Sequence, residues 1–496
     1  MDHFGHQNEN LRGHHDENAQ PLNCRPQSVD STRMRTRFFV FVLATSITVC
    51  VVAPGTAAAQ KPILPRISNG DIVTKVSASG RYALLFGGVS RRQRLVVSRG
   101  QIGGIAERPA TIGSARAHVF DPNLEIAPDG TAFVVFFDYF GKRGSRAELA
   151  LATLKPGRKH ATVQRLSRYL GGKKGVNDVT MAVDGTGRLA MSFVRETRTT
   201  NDGLVVFRDP NGKIGMRSLI VRTHGGGTLD FPLIKFDSAG TLIAVFNQGS
   251  VDCGGVAFRI ARACKPTTSR IFASRVSNSG LVAPFQILTG ATDCSAEALS
   301  AQPDGSSLVA MICNLDDRLS TLNYAVSVGG GPFTDMRQVS RPGSLGDYRP
   351  SVLALPAGRF VFVWNHDVKE VTDDGDFTDQ IYGTFVSGDG TSLPSQPLSP
   401  AIAGNAADGP AQFEPTLATA LGGKPYLMAA IPSKKVERVA HIRDDLTLGP
   451  AIAIAPAHAE DLDPGVAEDG HGLVKWMLYR GERSYFGVTE FQLPPD

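Results

Sequence analysis

A unit that pairs two short strands around a glycine turn recurs eight times along this chain, and this repeat constrains the fold more than any other feature. Each unit begins with an acidic or polar residue, continues with a short apolar strand and a turn, and ends with a second strand rich in Val, Phe and Ala. The spacing between units runs from 47 to 65 residues. The turn glycines are Gly80, Gly130, Gly187, Gly240, Gly305, Gly358, Gly423 and Gly470.

This spacing leaves room for four strands in each unit and predicts an all-β protein, a β-propeller of eight four-stranded blades. Seven blades are possible if one unit is irregular. A fourth-strand pattern follows several units, as in 163–167 (VQRLS) and 285–289 (FQILT). The last unit lacks it, whereas residues 63–68 (ILPRIS) carry it without a unit of their own. We therefore expect the N-terminal strand 63–68 to complete the last blade and close the ring.

The turn sequences of two units carry a family resemblance. IAPDGTAFVVF (126–136) and SAQPDGSSLVAMI (300–312) resemble the repeats of TolB-like and related bacterial propellers. The resemblance covers the repeat cores across most of residues 63–491. It implies the propeller fold and an exported setting, and it implies little about activity.

The first 59 residues are typical of a leader. Three arginines, Arg33, Arg35 and Arg37, precede an apolar run over 38–53, and Ala57-Ala58-Ala59 offers a cleavage site. This arrangement predicts a polar leader with a secretory signal peptide over 1–59, followed by a single propeller domain over 60–496. The protein is then secreted, periplasmic or extracellular. The alternative is that 38–53 stays as a membrane anchor, although the run is short for a span.

Charge and composition narrow the partners. The net charge is +5 and Lys and Arg are scattered, so the sequence does not support nucleic-acid binding. No segment besides 38–53 could reach a membrane core. We expect a monomer whose partner is a protein or a glycan.

Four cysteines lie beyond the leader, and an even number in an exported chain predicts disulfides. We favour the pairs Cys253–Cys264 and Cys294–Cys313. The second pair flanks a predicted hairpin in which residue 313 lies opposite residue 296, one diagonal step from residue 294. A small shift of this register would bring the two sulfur atoms within reach of a disulfide bond. A zinc site is the alternative, but the sequence lacks the CxxC spacing.

An acidic residue precedes the first strand of seven units, at or near nine residues before the turn glycine. If these first strands are innermost, the carboxylates ring one mouth of the channel and could bind a cation or a cationic ligand. The alternative is that each caps backbone N–H groups at a blade junction. The ring consists of Asp71, Asp121, Asp178, Asp230, Glu297, Glu414 and Asp463.

A second acidic segment is the loop 373–379. Calcium prefers several carboxylate oxygens on a tight turn, so Asp373, Asp374, Asp376 and Asp379 are candidate calcium ligands. The spacing matches no EF-hand loop, and a solvated hairpin tip is the alternative. Calcium is the one cofactor that the sequence suggests.

No catalytic residue is predicted, because the chain has no GxSxG elbow, no HExxH motif and no phosphate-binding glycine loop. The sequence therefore favours a non-enzymatic binding or scaffold module with its ligand at the loop face or channel mouth. One alternative is a glycan-acting hydrolase or lyase that uses carboxylates at the channel mouth. The other is a membrane-anchored structural protein of the cell envelope.

Overall fold

A computed structural model describes the chain from residue 67 to residue 494. Within that range it leaves out residues 69–70, 88–94, 105, 113–117, 141–145, 167–175, 198, 225–226, 253–264, 290–292, 315–319, 340–346, 370–375, 406–414, 420–422, 432–435, 456–459 and 481–482. The leader 1–59 and the alternative anchor 38–53 lie outside the described residues, and both stay predictions. No helix among the described residues is long and apolar enough to cross a membrane.

Eight antiparallel sheets form the predicted β-propeller of eight four-stranded blades, and no α-helix occurs among the described residues. The strands of blade 1 are β2 (Asp71–Val76), β3 (Arg81–Gly87), β4 (Leu95–Gln101) and β5 (Ala110–Ile112). Those of blade 2 are β6 (His118–Ile126), β7 (Ala132–Phe140), β8 (Arg146–Leu154) and β9 (Thr162–Arg165). Those of blade 3 are β10 (Val176–Val183), β11 (Leu189–Glu196), β12 (Thr200–Arg208) and β13 (Ile214–His224).

Two of the next three blades carry one additional short strand each. Blade 4 consists of β14 (Gly227–Phe236), β15 (Leu242–Asp252), β16 (Lys265–Ser277), β17 (Gly280–Leu281) and β18 (Gln286–Ile287). Blade 5 consists of β19 (Asp293–Ala301), β20 (Ser307–Asn314), β21 (Ser320–Ser327) and β22 (Arg337–Gln338). Blade 6 consists of β23 (Asp347–Leu355), the 3-10 turn Pro356–Gly358, β24 (Arg359–Lys369), β25 (Asp376–Ser387), β26 (Gln396–Pro397) and β27 (Ile402–Asn405).

The last blade joins the two ends of the chain. Blade 7 consists of β28 (Thr416–Thr419), β29 (Pro425–Ile431), β30 (Val436–His441) and β31 (Ile452–Ala453). Blade 8 consists of β32 (Glu460–Val466), β33 (His471–Arg480), β34 (Arg483–Gln492) and the N-terminal strand β1 (Ile67–Ser68). Ile67 pairs with Phe486 and Ser68 with Tyr485, so the N-terminal strand completes the last blade as predicted, over 67–68. Residues 63–66 lie outside the described range.

The ring is closed through its core. Each of the eight junctions between neighbouring blades contains one cluster of buried apolar side chains, including the junction of blade 8 with blade 1. First strands of neighbouring blades contact one another around the whole ring, from β2 to β6 and finally from β32 back to β2. The first strand of each blade is therefore innermost, as the sequence predicted. Eight blades, rather than seven, are present.

The glycine turn between the first two strands of a blade explains why this part of the repeat is so regular. In blade 2, the Gly130 N–H donates to the Ala127 carbonyl at 2.8 Å, and Gly130 has a φ of 86°, which a residue with a Cβ rarely adopts. The Asp129 carboxylate accepts a hydrogen bond from the Thr131 N–H at 2.8 Å. These turns all lie on one face of the ring, which we call the turn face. The third strand of each blade also ends on this face.

The predicted disulfide between Cys294 and Cys313 is present, with Cα atoms 4.0 Å apart and both residues buried. The register differs from the prediction, because Cys294 lies directly opposite Cys313 and Ala296 lies opposite Met311. A β-bulge between Ala296 and Ala298 contributes one residue to this shift. Cys253 and Cys264 lie outside the described residues, so their pairing stays a prediction.

Candidate functional site

The predicted acidic ring lies at the beginning of the inner strands, on the face opposite the turn face. Asp121, Asp178 and Glu297 fall within β-bulges of their strands, and Asp230 and Asp463 border bulges. A bulge redirects the residue that it contains and interrupts the ladder of backbone hydrogen bonds. The acidic residues therefore recur together with a backbone irregularity, and both roles of the ring, cation binding and capping at blade junctions, stay predictions. Asp71 begins β2 with no bulge in its pairing, and Glu414 lies outside the described residues.

Two positions of the acidic ring show how its residues differ from blade to blade. The Glu297 side chain is exposed, and the Ser295 hydroxyl two residues earlier donates a hydrogen bond to its carboxylate. Arg349 takes the corresponding place in blade 6 and lies in a bulge at a φ of 52°, an uncommon conformation for a residue other than glycine. The ring is thus not a continuous circle of carboxylates.

Much of the predicted calcium-binding loop lies outside the described residues. Asp373 and Asp374 lie outside the described residues, and Asp376 and Asp379 belong to β25. Over the part of the chain that the structure describes, no group of three or more His, Cys, Asp or Glu side chains could hold a metal ion. The calcium site on 373–379 remains a prediction.

A cleft of about 230 Å³ opens on the turn face between blades 2 and 3. Its blade 2 wall comes from the glycine turn at 127–131, from Phe133 and from the end of β8. Its blade 3 wall comes from the glycine turn at 185–187 and from the end of β12. Polar and charged side chains line it, namely Asp129, Thr131, Thr153, Lys155, Thr186 and Arg208. The size suits one charged or polar group of a ligand together with the atoms next to it.

Arg208, the last residue of β12, is the central feature of this cleft. Its side chain is 7% exposed and its guanidinium lies 5.2 Å from the centre of the Phe133 ring. Among the described residues it has no ion pair and no hydrogen bond, and its Nε is buried without a partner. Burial alone lowers the Arg208 pKa, since no carboxylate offsets the desolvation. A buried charge without a counter-charge is costly in a folded protein, and an anion in the cleft would supply one.

Two other arginines near the ends of third strands show how a buried guanidinium is paired with a carboxylate. Arg99 on β4 donates to the Leu154 carbonyl at 2.7 Å and pairs with Glu107 at 2.5 Å. Arg275 on β16 donates to the Gly305 carbonyl at 2.7 Å and pairs with Asp237 at 3.5 Å. Both are buried as deeply as Arg208. Each of them donates to a carbonyl of the next blade and pairs with a carboxylate of its own blade. Arg208 instead reaches back to blade 2 and meets no carboxylate among the described residues.

The remaining polar groups define what the cleft could bind. The Asp129 carboxylate is occupied by its own turn, because it accepts hydrogen bonds from the Thr131 N–H at 2.8 Å and from the Thr131 hydroxyl at 2.9 Å. Lys155 is exposed at the mouth, and it makes no ion pair within the described residues. The buried Thr153 hydroxyl also has no hydrogen-bond partner there. A guanidinium, an ammonium and a free hydroxyl thus face a cleft whose one carboxylate is already engaged.

The central channel carries a separate charged group. Lys75 on β2 and Glu125 on β6 form an ion pair at 3.3 Å. Lys235 on β14 is solvent-accessible but enclosed by protein atoms, and this enclosure lowers its pKa, with Glu125 opposing the shift and Lys75 adding to it.

The sequence prediction missed the cleft. The available signal was a basic residue that ends an apolar third strand, as in VVFR (205–208) and VVSR (96–99). That pattern marks arginines that are buried between blades. It cannot show which of them lacks a carboxylate, because Glu107 and Asp237 come from turns whose placement depends on the fold.

Comparisons with known proteins identify no family for this chain. No protein-family profile matches it, and no curated protein matches it. Solved structures with some likeness include an ulvan lyase of polysaccharide lyase family PL25, with 8% identity and a TM-score of 0.47 over 88% of this chain and 94% of that one. Another is an α-L-arabinanase from Penicillium chrysogenum, with 11% identity and a TM-score of 0.40 over 75% of this chain and 93% of that one. A third is a protein of unknown function from Dyadobacter fermentans, with 12% identity and a TM-score of 0.39 over 88% of this chain and 98% of that one. Values this low carry no information about activity.

Proposed function

We propose that this chain is a non-enzymatic binding propeller that acts outside the cytoplasm and holds an anionic group of its ligand in the cleft between blades 2 and 3. Arg208 is the principal contact. The observation that carries the proposal is the buried Arg208 guanidinium, which has no counter-charge among the described residues although Arg99 and Arg275 in comparable places have one. The leader pattern over 1–59 and the Cys294–Cys313 disulfide support the exported setting.

The surrounding structure holds the donors of the cleft in place. The guanidinium of Arg208 packs over the Phe133 ring, and the two glycine turns form the walls. Preorganised donors bind an anion without the entropy cost of ordering them, and burial strengthens a charge-assisted hydrogen bond. A carboxylate, sulfate or phosphate group can accept two parallel N–H bonds from such a guanidinium.

The chemistry of the cleft favours binding over catalysis. Glycoside hydrolysis uses two carboxyl groups in unequal environments on either side of the reacting bond. The described lining contains one carboxylate, Asp129, and the Thr131 N–H and hydroxyl already occupy it. The glycan-acting alternative stays open as a separate hypothesis. Cleavage is therefore tested together with binding.

The test uses isothermal titration calorimetry of the full chain with inorganic phosphate, with galacturonate and with neutral galactose. Phosphate and galacturonate should bind saturably, and galactose should bind much more weakly. Replacing Arg208 by Met should reduce both anion affinities at least tenfold, because the principal counter-charge is gone. The matched control is Arg443→Met, which removes an exposed arginine from blade 7 and should leave both affinities unchanged.

Equal affinities of the wild type and the Arg208→Met variant would overturn the proposal. Incubation with acidic and neutral polysaccharides, followed by measurement of new reducing ends or unsaturated products, tests the enzymatic alternative. Turnover that survives Arg208→Met would place the chemistry elsewhere in the ring.

A further inference from the structure

The turn that follows β8 is the most basic segment near the cleft. It connects β8 to β9 in blade 2 and carries Lys155, Arg158, Lys159 and His160 without an acidic residue. All residues from 155 to 160 are exposed, and none of the four basic side chains forms an ion pair within the described part of the chain. The Arg158 N–H donates to the Lys155 carbonyl at 3.1 Å, so the segment is an ordered turn.

The same connection in the other blades does not have this character. The turns between third and fourth strands in blades 1 and 3 to 7 carry a net charge of zero or minus one. Blade 1 balances Glu107 against Arg108, and blade 3 balances Asp209 against Lys213. The basic turn is thus specific to blade 2, the blade that forms one wall of the cleft, and it is not a general property of the repeat.

The basic turn is continuous with the cleft. Lys155 belongs to both, because it begins the turn and lines the mouth of the cleft. Positive charge therefore extends from the buried Arg208, through Lys155, to the exposed Arg158 and Lys159 on the same turn face. A cleft of about 230 Å³ accommodates one charged unit of a ligand. The turn offers further cations to units that remain outside.

We infer that the ligand is an acidic polysaccharide, which places one anionic unit at Arg208 and lays the following units across the basic turn 155–160. This inference rests on the proposed function of the cleft. The hydroxyl of Thr153 at the same cleft suits a ligand rich in hydroxyl groups. Proteins that bind single-stranded nucleic acid commonly stack its bases on exposed Phe, Tyr or Trp side chains. Neither the turn nor the described cleft lining exposes one of these, since Phe133 is buried.

The experiment compares a polymer with its own monomer. Polygalacturonate and galacturonate are titrated into the full chain at several salt concentrations, with heparin as a sulfated polymer and dextran as a neutral one. Polygalacturonate should bind at least tenfold more tightly than galacturonate and should lose affinity as salt rises, since displaced counterions drive the binding of a polyanion. Dextran should not bind measurably.

Three variants separate the inference from the proposed function. Arg158→Gln combined with Lys159→Gln should weaken polygalacturonate about tenfold and flatten its salt dependence, while galacturonate affinity stays unchanged. Arg208→Met should weaken both ligands. Arg443→Gln, which removes an exposed cation from the equivalent turn of blade 7, should change neither.

Each other result has a definite meaning. If polymer and monomer bind equally well, or if the double variant binds polygalacturonate like the wild type, the inference fails and the proposed function stands. If neither polygalacturonate nor heparin binds, or a DNA oligonucleotide binds as tightly and with the same dependence on the turn, the inference also fails. If Arg208→Met changes neither galacturonate nor phosphate binding, the proposed function fails with it.

Discussion

The Arg208 guanidinium lies 5.2 Å from the centre of the Phe133 ring, across the junction between blades 3 and 2. This contact is the one favourable interaction that the described residues give to the buried charge. An aromatic face offers about 1 to 2 kcal/mol to a cation, which is less than the cost of burying it without a counter-ion. The folded protein without ligand therefore carries an unfavourable charge at this point.

Replacing Arg208 by Met should accordingly leave the stability of the ligand-free protein unchanged or raise it by about 1 kcal/mol, because Met keeps the apolar volume and removes the desolvation cost. Urea denaturation followed by tryptophan fluorescence measures the difference. The same variant should lose the stabilisation that added phosphate gives to the wild type. A loss of several kcal/mol in the ligand-free variant would contradict the assignment of Arg208 as an uncompensated charge.

Arg275 provides the opposite case at the junction of blades 4 and 5. Its guanidinium donates to the Gly305 carbonyl at 2.7 Å and to the Ser327 hydroxyl at 2.8 Å, and it pairs with Asp237 at 3.5 Å. Arg275→Met should destabilise the protein by about 3 kcal/mol, since the buried Asp237 carboxylate loses its counter-charge and the Gly305 carbonyl loses its donor. Measured under the same conditions as Arg208→Met, the two variants should move in different directions. Equal effects would mean that the charge partners do not decide stability at these junctions.

Asp202 should make the stability depend on acid. Its side chain is fully buried at the other end of β12, where Arg222 donates to it at 2.6 Å and Arg195 also pairs with it. Burial by itself would raise the Asp202 pKa, but the two arginines outweigh burial and hold the pKa below its usual value. A carboxyl whose pKa is lower in the folded than in the unfolded state stabilises the fold above about pH 4 and loses this contribution as the pH falls through the folded value.

Asp202→Asn should therefore cost about 3 kcal/mol of unfolding free energy at pH 7, because two arginines lose their counter-charge. The difference between wild type and variant should shrink as the pH is lowered from 5 to 2.5. Urea denaturation at several pH values measures this gap. A gap that stays constant down to pH 2.5 would show that Asp202 does not stabilise the fold through its charge.

The repeat in the sequence was sufficient to predict the ring, because each blade uses the same local chemistry. A glycine at positive φ, such as Gly130, and a polar residue that binds the turn, such as Asp129, can be read without knowing the fold. The missing fourth strand of the last unit likewise predicted that Ile67–Ser68 pairs with β34. Both predictions depend on patterns within a few residues or on simple counting.

The cleft and the register between β19 and β20 could not be predicted from the sequence, for a different reason. The absence of a partner at Arg208 follows from which way its side chain points, and β12 turns it toward blade 2 rather than blade 4. The bulge between Ala296 and Ala298 shifted the expected pairing around Cys294, and a bulge depends on contacts with neighbouring strands. Such features arise from tertiary packing, which a single repeat unit does not encode.

The disulfide between Cys294 and Cys313 should stabilise blade 5. The two cysteines are 19 residues apart, and closing a loop of this length restricts the unfolded chain by about 3 kcal/mol in the loop-entropy description. Replacing both cysteines by Ala should lower the unfolding free energy by about 2 to 4 kcal/mol, and adding reductant should destabilise the wild type more than the double variant. An unchanged denaturation midpoint in the double variant would show that the hairpin register alone holds β19 against β20.

Removing the N-terminal strand should open the ring. A chain that begins at residue 70 lacks β1, so β34 loses its backbone partners at Ile67 and Ser68 and becomes an exposed edge. Phe486, the backbone partner of Ile67, belongs to the apolar cluster between blades 8 and 1, so the exposed edge lies next to this cluster. We expect a lower melting temperature, measured by thermal melting, and a tendency to associate through the free edge, measured by size-exclusion chromatography with light scattering.

The control is a chain that begins at residue 61, which keeps β1 and should melt like the protein cut after residue 59. If the chain that begins at residue 70 melts at the same temperature and stays monomeric, pairing of the two chain ends does not hold the propeller closed.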